Sequence, residues 1–282
     1  MTSILTNSGA MVALQTLSSV NNDLEMTQNE VSTGKKVGNA KDNAAVWAIS
    51  KTMESDIAGF TAIQEALDVG EATVAVASAG AEQIVDVLKE MKQLAVSAQS
   101  ENVDHDTIEA DMAKKAEQIE SIISASQFNG ANLLTDDVDG AGATSLGVLA
   151  SLDRVGPSGT PTASEITVAT VNFKDNIDLA TSLTTITDAA TATSALADIE
   201  AFLTTAIAGA AQLGADASRL EDQGEFVSKL TDAMKLGVSA MTDANMEEAS
   251  ARLKALQTQQ QLAVQSLSIA NSAPETLQQL FR

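Results

Sequence analysis

The chain has 282 residues, of which 44% are hydrophobic, yet it contains only one Trp, six Phe and no Tyr. It carries 38 acidic and 16 basic residues, a formal net charge of −22, and it has no cysteine. Such a chain lacks the basic face that nucleic acids and anionic membranes require, and it excludes disulfides, thiolate nucleophiles and zinc fingers.

Two further absences concern the cellular location. The first basic residue is Lys35, so there is no charged n-region, and we expect no cleaved secretory signal. No run of 18 apolar residues occurs, so we expect no membrane insertion. A protein exported without the usual signal and a cytosolic protein would both fit.

The first predicted element is a helix within residues 1–43. Its stripe of residues at alternating spacings of four and three is Ala10, Leu14, Leu17, Asn21, Leu24, Gln28 and Val31. The stretch STGKKVGNAKDNAAVWAIS (32–50) follows, and its Gly-Lys-Lys suggests a phosphate-binding loop. The required first glycine would fall at Asn29 and the required hydroxyl at Lys36, so a nucleotide site is not expected.

A long helix and a second helix are predicted over residues 44–134. The long helix begins after Asp42 or Asn43, either of which is a suitable N-cap. Its heptad stripe is typical of a coiled-coil seam and consists of Phe60, Ile63, Leu67, Gly70, Val74, Ala77, Ala81, Ile84, Leu88, Met91, Ala95 and Ala98. The second helix is predicted over 107–128, after Asp104 or Asp106.

Residues 135–188 are rich in Gly, Thr and Ser and form a small surface insert. Two strands, 145–152 and 165–173, predict a β-hairpin. Asp137, Asp139 and Gly140 fall at positions three, five and six of a calcium loop. Position twelve would be Leu146 where a Glu is required, so an acidic loop is expected and not a calcium site.

Helical periodicity returns over residues 189–244 and again over 245–282. The first of these helices has the stripe Leu196, Ile199, Leu203, Ile207, Leu213, Leu220, Val227, Leu230 and Met234. The last helix has the stripe Ala249, Leu253, Leu256, Gln260, Ala263, Leu267 and Ala270. The predicted fold is therefore mainly α: an elongated antiparallel helical, coiled-coil hairpin bundle with paired N- and C-termini and a small β-hairpin-containing insert.

In the terminal arms, the free energy gained by burying apolar side chains is smaller than the backbone entropy cost of ordering the arms. We therefore expect them to be poorly ordered in a lone molecule and to fold when neighbours cover them, as a polymer subunit does. Catalytic groups are scarce, since the single histidine, His105, has no nucleophile beside it. We expect no enzyme, no metal site and no cofactor.

Several motifs resemble those of bacterial flagellins. The match centres on STGKKVGNAKDNAAVWAIS, and it includes SQFNGANLL (126–134), GADASRLE (214–221) and the ending SLSIANSAPETLQQLFR (266–282). The resemblance covers roughly residues 1–134 and 190–282. It implies that stretch 32–50 is a linker, in which Gly34 and Gly38 permit a bend and Asp42 caps the next helix.

The resemblance implies an extracellular filament subunit of the bacterial flagellum, used for swimming motility. Such subunits leave the cell unfolded through the flagellar type III export apparatus, aided by a chaperone, and polymerise beneath a cap protein. Residues 1–43 and 245–282 would form the inner filament core, and residues 44–134 and 189–244 the outer core layer. Partners would be further copies of the chain and the hook-associated junction and cap proteins.

The expected assembly residues are apolar residues of the two terminal arms. They are Leu14, Leu17, Leu24, Val31, Leu253, Leu256, Leu267, Leu277, Leu280 and Phe281. One departure from the family concerns the Arg-x-Arg-Glu-Leu-Ala motif that an innate toll-like receptor senses. Here Glu90, Lys92 and Gln93 occupy its polar positions, so weak receptor recognition is expected.

Two alternatives remain open from the sequence. The hook–filament junction protein shares the terminal helices of flagellins but does not propagate a filament. An acidic helical adaptor would explain the coiled-coil stripe but not the two marginal terminal arms. Threonine clusters such as 181–187 could accept O-linked sugars, although a solvated loop followed by a helix cap is the favoured explanation.

Overall fold

The computed structural model describes residues 7–154, 156 and 159–280, with side chains as far as residue 272. Six helices and one β-hairpin form in these residues. The elements in chain order are α1 (Ser8–Thr33), α2 (Ala44–Ser97), α3 (His105–Ala125), β1 (Ser145–Asp153), β2 (Thr162–Ala169), α4 (Phe173–Asn176), α5 (Ala189–Thr242) and α6 (Met246–Leu280). The mainly α class with a small β insert is confirmed.

The heptad stripe of α2 lies in the core along its whole length. All twelve predicted positions from Phe60 to Ala98 are buried. Small residues in the stripe permit close approach: a Cβ added to Gly70 would lie 2.7 Å from a methyl of Val148 in β1. The stripe thus serves as the packing surface for the insert as well as for a helix.

Helix α5 has the predicted start and ends at Thr242, two residues before the end of the predicted segment 189–244, but the prediction that Ile207 lies in its stripe is wrong. Ile207 is half exposed, and the neighbouring Ala206 is fully buried in its place. The shift follows from Gly209, because a Cβ there would lie 2.6 Å from the ring of Phe173. A large side chain from α4 occupies this part of the core, so α5 presents its small residues to it.

Helix α3 begins two residues before the predicted start and ends three before the predicted end. Asp104 is its N-cap, since its Oδ1 accepts from the backbone N–H of Thr107 at 3.3 Å. This hydrogen bonding, chiefly from the Thr107 hydroxyl, holds the pKa of Asp104 below its usual value. After α3, Phe128 and Ala131 exchange two backbone hydrogen bonds across the Asn-Gly turn.

The insert contains the predicted hairpin, but the second strand begins and ends earlier than predicted. β1 and β2 are antiparallel, and Ser145 pairs with Ala169 and Asp153 with Thr162. β2 ends at Ala169 because the chain turns into the unpredicted helix α4, whose N-cap Asn172 has a φ of 43°. A left-handed residue is incompatible with an extended strand.

Polar side chains fasten the hairpin to both long helices. Arg154 donates to Asp56 of α2 at 2.5 Å and to the Gly159 carbonyl at 2.9 Å. The register shifts between Leu149 and Ser151, and the carbonyl of the intervening Ala150 accepts from the Gln223 side chain of α5 at 2.7 Å. Ala150 has no partner residue in β2, and the bulge turns its carbonyl towards the Gln223 donor of α5.

Helices α1 and α6 form an antiparallel pair. The α6 stripe is confirmed, because all seven predicted positions are buried or partly buried. On α1 the seam is shifted in part: Ala13, Val20 and Thr27 lie in it, whereas the predicted Leu14, Asn21 and Gln28 are exposed. The buried or partly buried positions of α1 are Ala10, Ala13, Leu17, Val20, Leu24, Thr27, Glu30 and Val31.

The linker after α1 pairs with the break before α6. Gly34 ends α1 in the left-handed conformation, with φ 71°, and its carbonyl accepts from Ala244 N–H at 2.9 Å. The N–H groups of Lys36 and Val37 donate to the Thr242 carbonyl at 2.7 and 3.2 Å. The segment is thus held by backbone hydrogen bonds, with its N–H groups turned towards protein carbonyls and not towards a phosphate.

Asn43, and not Asp42, caps α2. The Asn43 side chain accepts from Val46 N–H at 3.2 Å, whereas Asp42 accepts from the N–H groups of Gly38 and Asn39 inside the loop. Asp42 therefore closes the turn, and Gly38 needs no positive φ for it. Ile49, at the start of α2, is half exposed.

Among the described residues, one helix meets a length and composition criterion for a membrane span. An 18-residue window of α5 reaches a mean hydropathy of 1.2 with at most two charged residues, and 33% of it is buried. Threonine, serine and glycine occur among the alanines of α5, so no uninterrupted apolar run marks this helix in the sequence. Core helices of alanine-rich proteins satisfy the same criterion.

The chain divides into two units. The terminal unit is Met1–Ser55 with Ala233–Arg282, and the central unit is Asp56–Asp232. In the central unit, α2 and α5 are joined by the ion pair of Lys92 with Glu200, and the side chain of Gln64 lies against Gly224. In the terminal unit, α1 and α6 provide most of the packing.

A single side chain, Asn7, serves the ends of both terminal helices. Its oxygen accepts from Ala10 N–H at 3.1 Å and caps α1, while its amide nitrogen donates to the Ala270 carbonyl of α6 at 2.7 Å. That carbonyl lacks the usual backbone donor four residues later, because position 274 is proline and has no N–H. The asparagine thus compensates for the proline.

We predict that Asn7→Asp and Asn7→Ala separate these two roles. The aspartate keeps the cap and loses the amide donor, so exchange should accelerate around Ala270 while the first turn of α1 stays protected. The alanine should accelerate exchange at both places, each loss lowering local opening free energies by about 1 kcal/mol. Amide hydrogen exchange measures both, and it is followed on the assembled chain, in which the arms are expected to be ordered. Identical exchange in the two variants would contradict the dual role.

Candidate assembly surface

The two units differ sharply in how much apolar surface they bury. Among the described residues, the terminal unit has five buried hydrophobic side chains and the central unit has thirty-five. Exposed large hydrophobic side chains show the reverse bias, ten in the terminal unit and five in the central unit. The ten are Met11, Val12, Leu14, Met26, Ile49, Leu236, Met246, Leu262, Val264 and Ile269.

Such an excess is unusual for a surface that faces water permanently. Isolated exposed hydrophobic side chains are normal, but a helix pair that exposes more large apolar groups than it buries is typical of an interaction surface. The central unit needs no such explanation, because its long stripe already has intramolecular partners. The terminal unit is therefore the candidate functional site.

The predicted assembly residues fall into two groups. Leu17, Leu24, Val31, Leu253, Leu256 and Leu267 lie in or beside the α1–α6 seam, where they are buried or partly buried by the same chain. Leu14 instead points outwards and is largely exposed. Leu277 and Leu280 lie in α6 beyond the described side chains, and Phe281 lies outside the described residues.

Four exposed apolar residues of α1 and α6 are absent from the predicted assembly residues. Val12, Leu262, Val264 and Ile269 are apolar but lie outside the heptad stripe. Their positions in the sequence could have identified them, because an apolar residue outside a complete heptad stripe lies on a second face of the same helix. Two faces on one helix indicate two sets of neighbours.

An open groove lies between the first turns of α1 and the part of α6 around Leu267. It has a volume of about 380 Å³. Its lining is Ala10, Met11, Leu14, Gln15, Leu267 and Asn271. Apolar side chains from both helices thus surround space that a side chain of another molecule can fill.

The net charge, like the exposed apolar surface, is distributed unevenly between the two units. The terminal unit has 8 basic and 9 acidic residues, a net charge of −1, whereas the central unit has 8 basic and 29 acidic residues, a net charge of −21. Association through the terminal unit therefore meets little direct repulsion. Repulsion between neighbouring copies arises almost entirely in the central unit.

The candidate metal and catalytic groups are engaged in local structure. His105 is partly buried, and its Nε2 lies 2.9 Å from the Ala98 carbonyl after α2. Asp137 and Asp139 accept backbone N–H groups of their own loop, and the bonding, led by Gly142 N–H, lowers the pKa of Asp137. Within the described residues no group of three or more potential metal ligands occurs.

The segment at the receptor motif is tied into ion pairs. Glu90 accepts from Lys115 of α3 at 2.5 Å, and Lys92 pairs with Glu200 of α5. Gln93 is exposed. Two of the three polar positions thus link α2 to its neighbours, although these partly exposed pairs contribute little stability each.

Comparison with known proteins assigns the family. Residues 4–139 match the family model described as the bacterial flagellin N-terminal helical region, and residues 196–281 match the C-terminal helical region. The flagellin of Brucella melitensis is 39% identical over 289 residues, and flagellin C of Rhizobium meliloti is 36% identical over 327; both alignments cover 100% of each chain. Flagellin FljM of Caulobacter vibrioides is 36% identical over 283 residues, covering 99% of this chain and 98% of the relative.

Two solved structures show partial likeness. A crystal structure of Bacillus cereus flagellin has a TM-score of 0.48 at 19% identity, covering 57% of this chain and 88% of that chain. A putative flagellar hook-associated protein from Vibrio parahaemolyticus has a TM-score of 0.43 at 12% identity, covering 72% of this chain and 100% of that chain.

The family models span most of the chain, and the relatives match it from end to end. Both matched regions contain the helices that build the terminal unit. The chain belongs to the bacterial flagellin family and is a structural subunit of the flagellar filament.

Proposed function

We propose that this flagellin polymerises by coupled folding and assembly, with the apolar outer faces of α1 and α6 as its principal subunit contact. The observation that carries the proposal is the inversion between the units: the terminal unit exposes more large hydrophobic side chains than it buries. Burial of such side chains yields about 1.5–3 kcal/mol each, and a neighbouring subunit supplies what the chain itself does not.

The seam and the outer faces have different roles in this mechanism. Seam residues such as Leu256 join α1 to α6 within a subunit, whereas Leu14 and Ile269 lie free for the next subunit. A marginal helix pair gains its stability when both faces are covered. Residues 1–43 and 245–282 then belong to the inner filament core and residues 44–134 and 189–244 to the outer core layer. The insert of residues 135–188 contributes only a small surface element.

This mechanism is compatible with export of an unfolded chain. A terminal unit that folds fully only on incorporation would travel through the type III export apparatus without forming premature polymers, and a chaperone would cover the same faces. Junction and cap proteins are the expected partners at the filament ends. The chain is a component of an extracellular filament, and we infer that its role there is structural and not catalytic.

The decisive experiment is negative-stain electron microscopy of the purified chain at rising concentration, with and without sheared filament seeds. Long filaments that grow from the seeds would support propagation. Discrete particles despite seeding would contradict it and favour a junction or adaptor role.

We predict that Leu262→Asp abolishes filament growth while the central unit keeps its helical signal. The substitution places a carboxylate on the outer face of α6, where a neighbour must bury it unpaired. Gln261→Asp is the matched control, because it adds the same charge at an adjacent exposed position without removing apolar area. Seeded elongation followed by light scattering gives the comparison. Equal growth of both variants would contradict the proposed contact.

We also predict that the salt dependence of assembly originates in the central unit. Screening by salt weakens repulsion between exposed charges, so the critical concentration should fall severalfold between about 20 and 200 mM NaCl. The triple variant Glu65→Gln, Glu71→Gln and Glu82→Gln removes exposed charges of α2. It should assemble at lower salt than the unmodified chain, as measured by sedimentation.

A charge-matched control tests the location of the effect. Asp23→Asn, Glu25→Gln and Glu247→Gln remove three acidic charges from the terminal unit, whose net charge is already near zero. This variant should keep the salt dependence of the unmodified chain. A larger shift in the control than in the central-unit variant would refute the assignment.

We predict weak recognition by the innate toll-like receptor that senses other family members. Glu90 carries the opposite charge to the motif arginine, and both Glu90 and Lys92 are held in intramolecular ion pairs. A reporter-cell assay should show a response at least tenfold below that of a motif-bearing flagellin. Restoring the motif with Glu90→Arg, Lys92→Arg and Gln93→Glu should raise the response. A normal response from the unmodified chain would disprove the prediction.

A further inference from the structure

Methionine sulfur is distributed between the two units in an orderly way. Met11 and Met26 on α1 are 66% and 63% exposed, and Met246 at the start of α6 is 43% exposed. In the central unit, Met91 and Met112 are at most 1% exposed. The thioethers that solvent reaches most easily therefore belong to the terminal unit.

The two α1 methionines lie on or near the proposed contact face. Met11 lines the groove of about 380 Å³ between α1 and α6, beside Leu14 and Leu267. Met26 lies on the outward side of the same helix, next to the buried Thr27 of the seam. Both side chains are largely exposed in the chain by itself, and a neighbouring subunit would cover both.

We propose that Met11 and Met26 form a reversible oxidation site that controls whether a subunit can join the filament. The oxidant is hydrogen peroxide. The thioether sulfur takes one oxygen from the peroxide, the O–O bond breaks, and water leaves, so that the sulfur is oxidised to a sulfoxide and the peroxide is reduced. This inference rests on the proposed assembly surface.

The consequence follows from the polarity of the product. A sulfoxide has a strongly polar S=O group where the thioether was apolar. Burial of that group without a hydrogen-bond donor is unfavourable, and the apolar groove at Met11 is lined mainly by hydrocarbon. The chain has no cysteine, so no thiol competes for the oxidant. Methionine sulfoxide reductases restore the thioether with two electrons from a dithiol, which becomes a disulfide while the oxygen leaves as water, and this makes the site a switch.

Assembly should in turn protect the site. In a lone subunit the two sulfurs are accessible, whereas in a filament neighbouring subunits cover them. Oxidation would therefore act on subunits before incorporation and spare those already in place. The buried Met91 and Met112 serve as internal references in both forms.

The test is seeded elongation after mild treatment with hydrogen peroxide, with sulfoxides mapped by peptide mass spectrometry. We expect Met11 and Met26 to be oxidised before Met91 and Met112, elongation to fall at least tenfold, and a reductase to restore it. In preformed filaments, oxidation of Met11 and Met26 should be at least tenfold slower. Equal oxidation rates in subunits and filaments would overturn the proposal.

Two variants isolate the site. Met11→Leu combined with Met26→Leu conserves apolar volume, and its elongation rate after peroxide treatment should equal its own rate before treatment. Met246→Leu is the matched control and should leave the chain sensitive. Full elongation of the oxidised, unmodified chain would refute the switch while leaving the assembly surface intact. Failure of the untreated chain to elongate from seeds would instead refute the assembly surface on which the switch rests.

Discussion

The rest of this structure depends on apolar side chains of the terminal unit that a single subunit leaves exposed. The α1–α6 seam uses one face of each terminal helix, and residues such as Leu14 and Ile269 remain on the outer faces. A helix pair of this kind gains stability from neighbours. The proposed mode of filament growth, its compatibility with unfolded export and the proposed oxidation of exposed methionines would all follow from that one deficit.

The distribution of charge complements the distribution of apolar surface. The terminal unit is almost neutral, so its association is limited by apolar contact and fit, whereas the central unit has a net charge of −21. Repulsion between central units opposes assembly and also discourages nonspecific association of finished filaments. Contact and repulsion thus reside in different parts of one chain, and salt can adjust one without altering the other.

In the central unit, small residues of the long helices α2 and α5 allow side chains of the insert to pack closely against them. Gly70 admits Val148 of the hairpin, and Gly209 admits Phe173, at distances that a side chain would obstruct. Arg154 and Gln223 then fasten the same insert to α2 and α5. A short insert can therefore be held firmly by two helices without a large core of its own.

Periodicity in the sequence determined the long helices, the buried stripe of α2, the seam of α6 and the hairpin, because a repeated apolar spacing has one favourable packing over many turns. Motifs determined the family. Tertiary structure alone decided details that depend on a distant partner: Ala206 replaces Ile207 because Phe173 fills the core there, and Asn43 caps α2 because Asp42 closes the loop. The split of the terminal stripes into seam and free faces also required the structure, since a heptad pattern shows which residues are apolar but not which partner covers them.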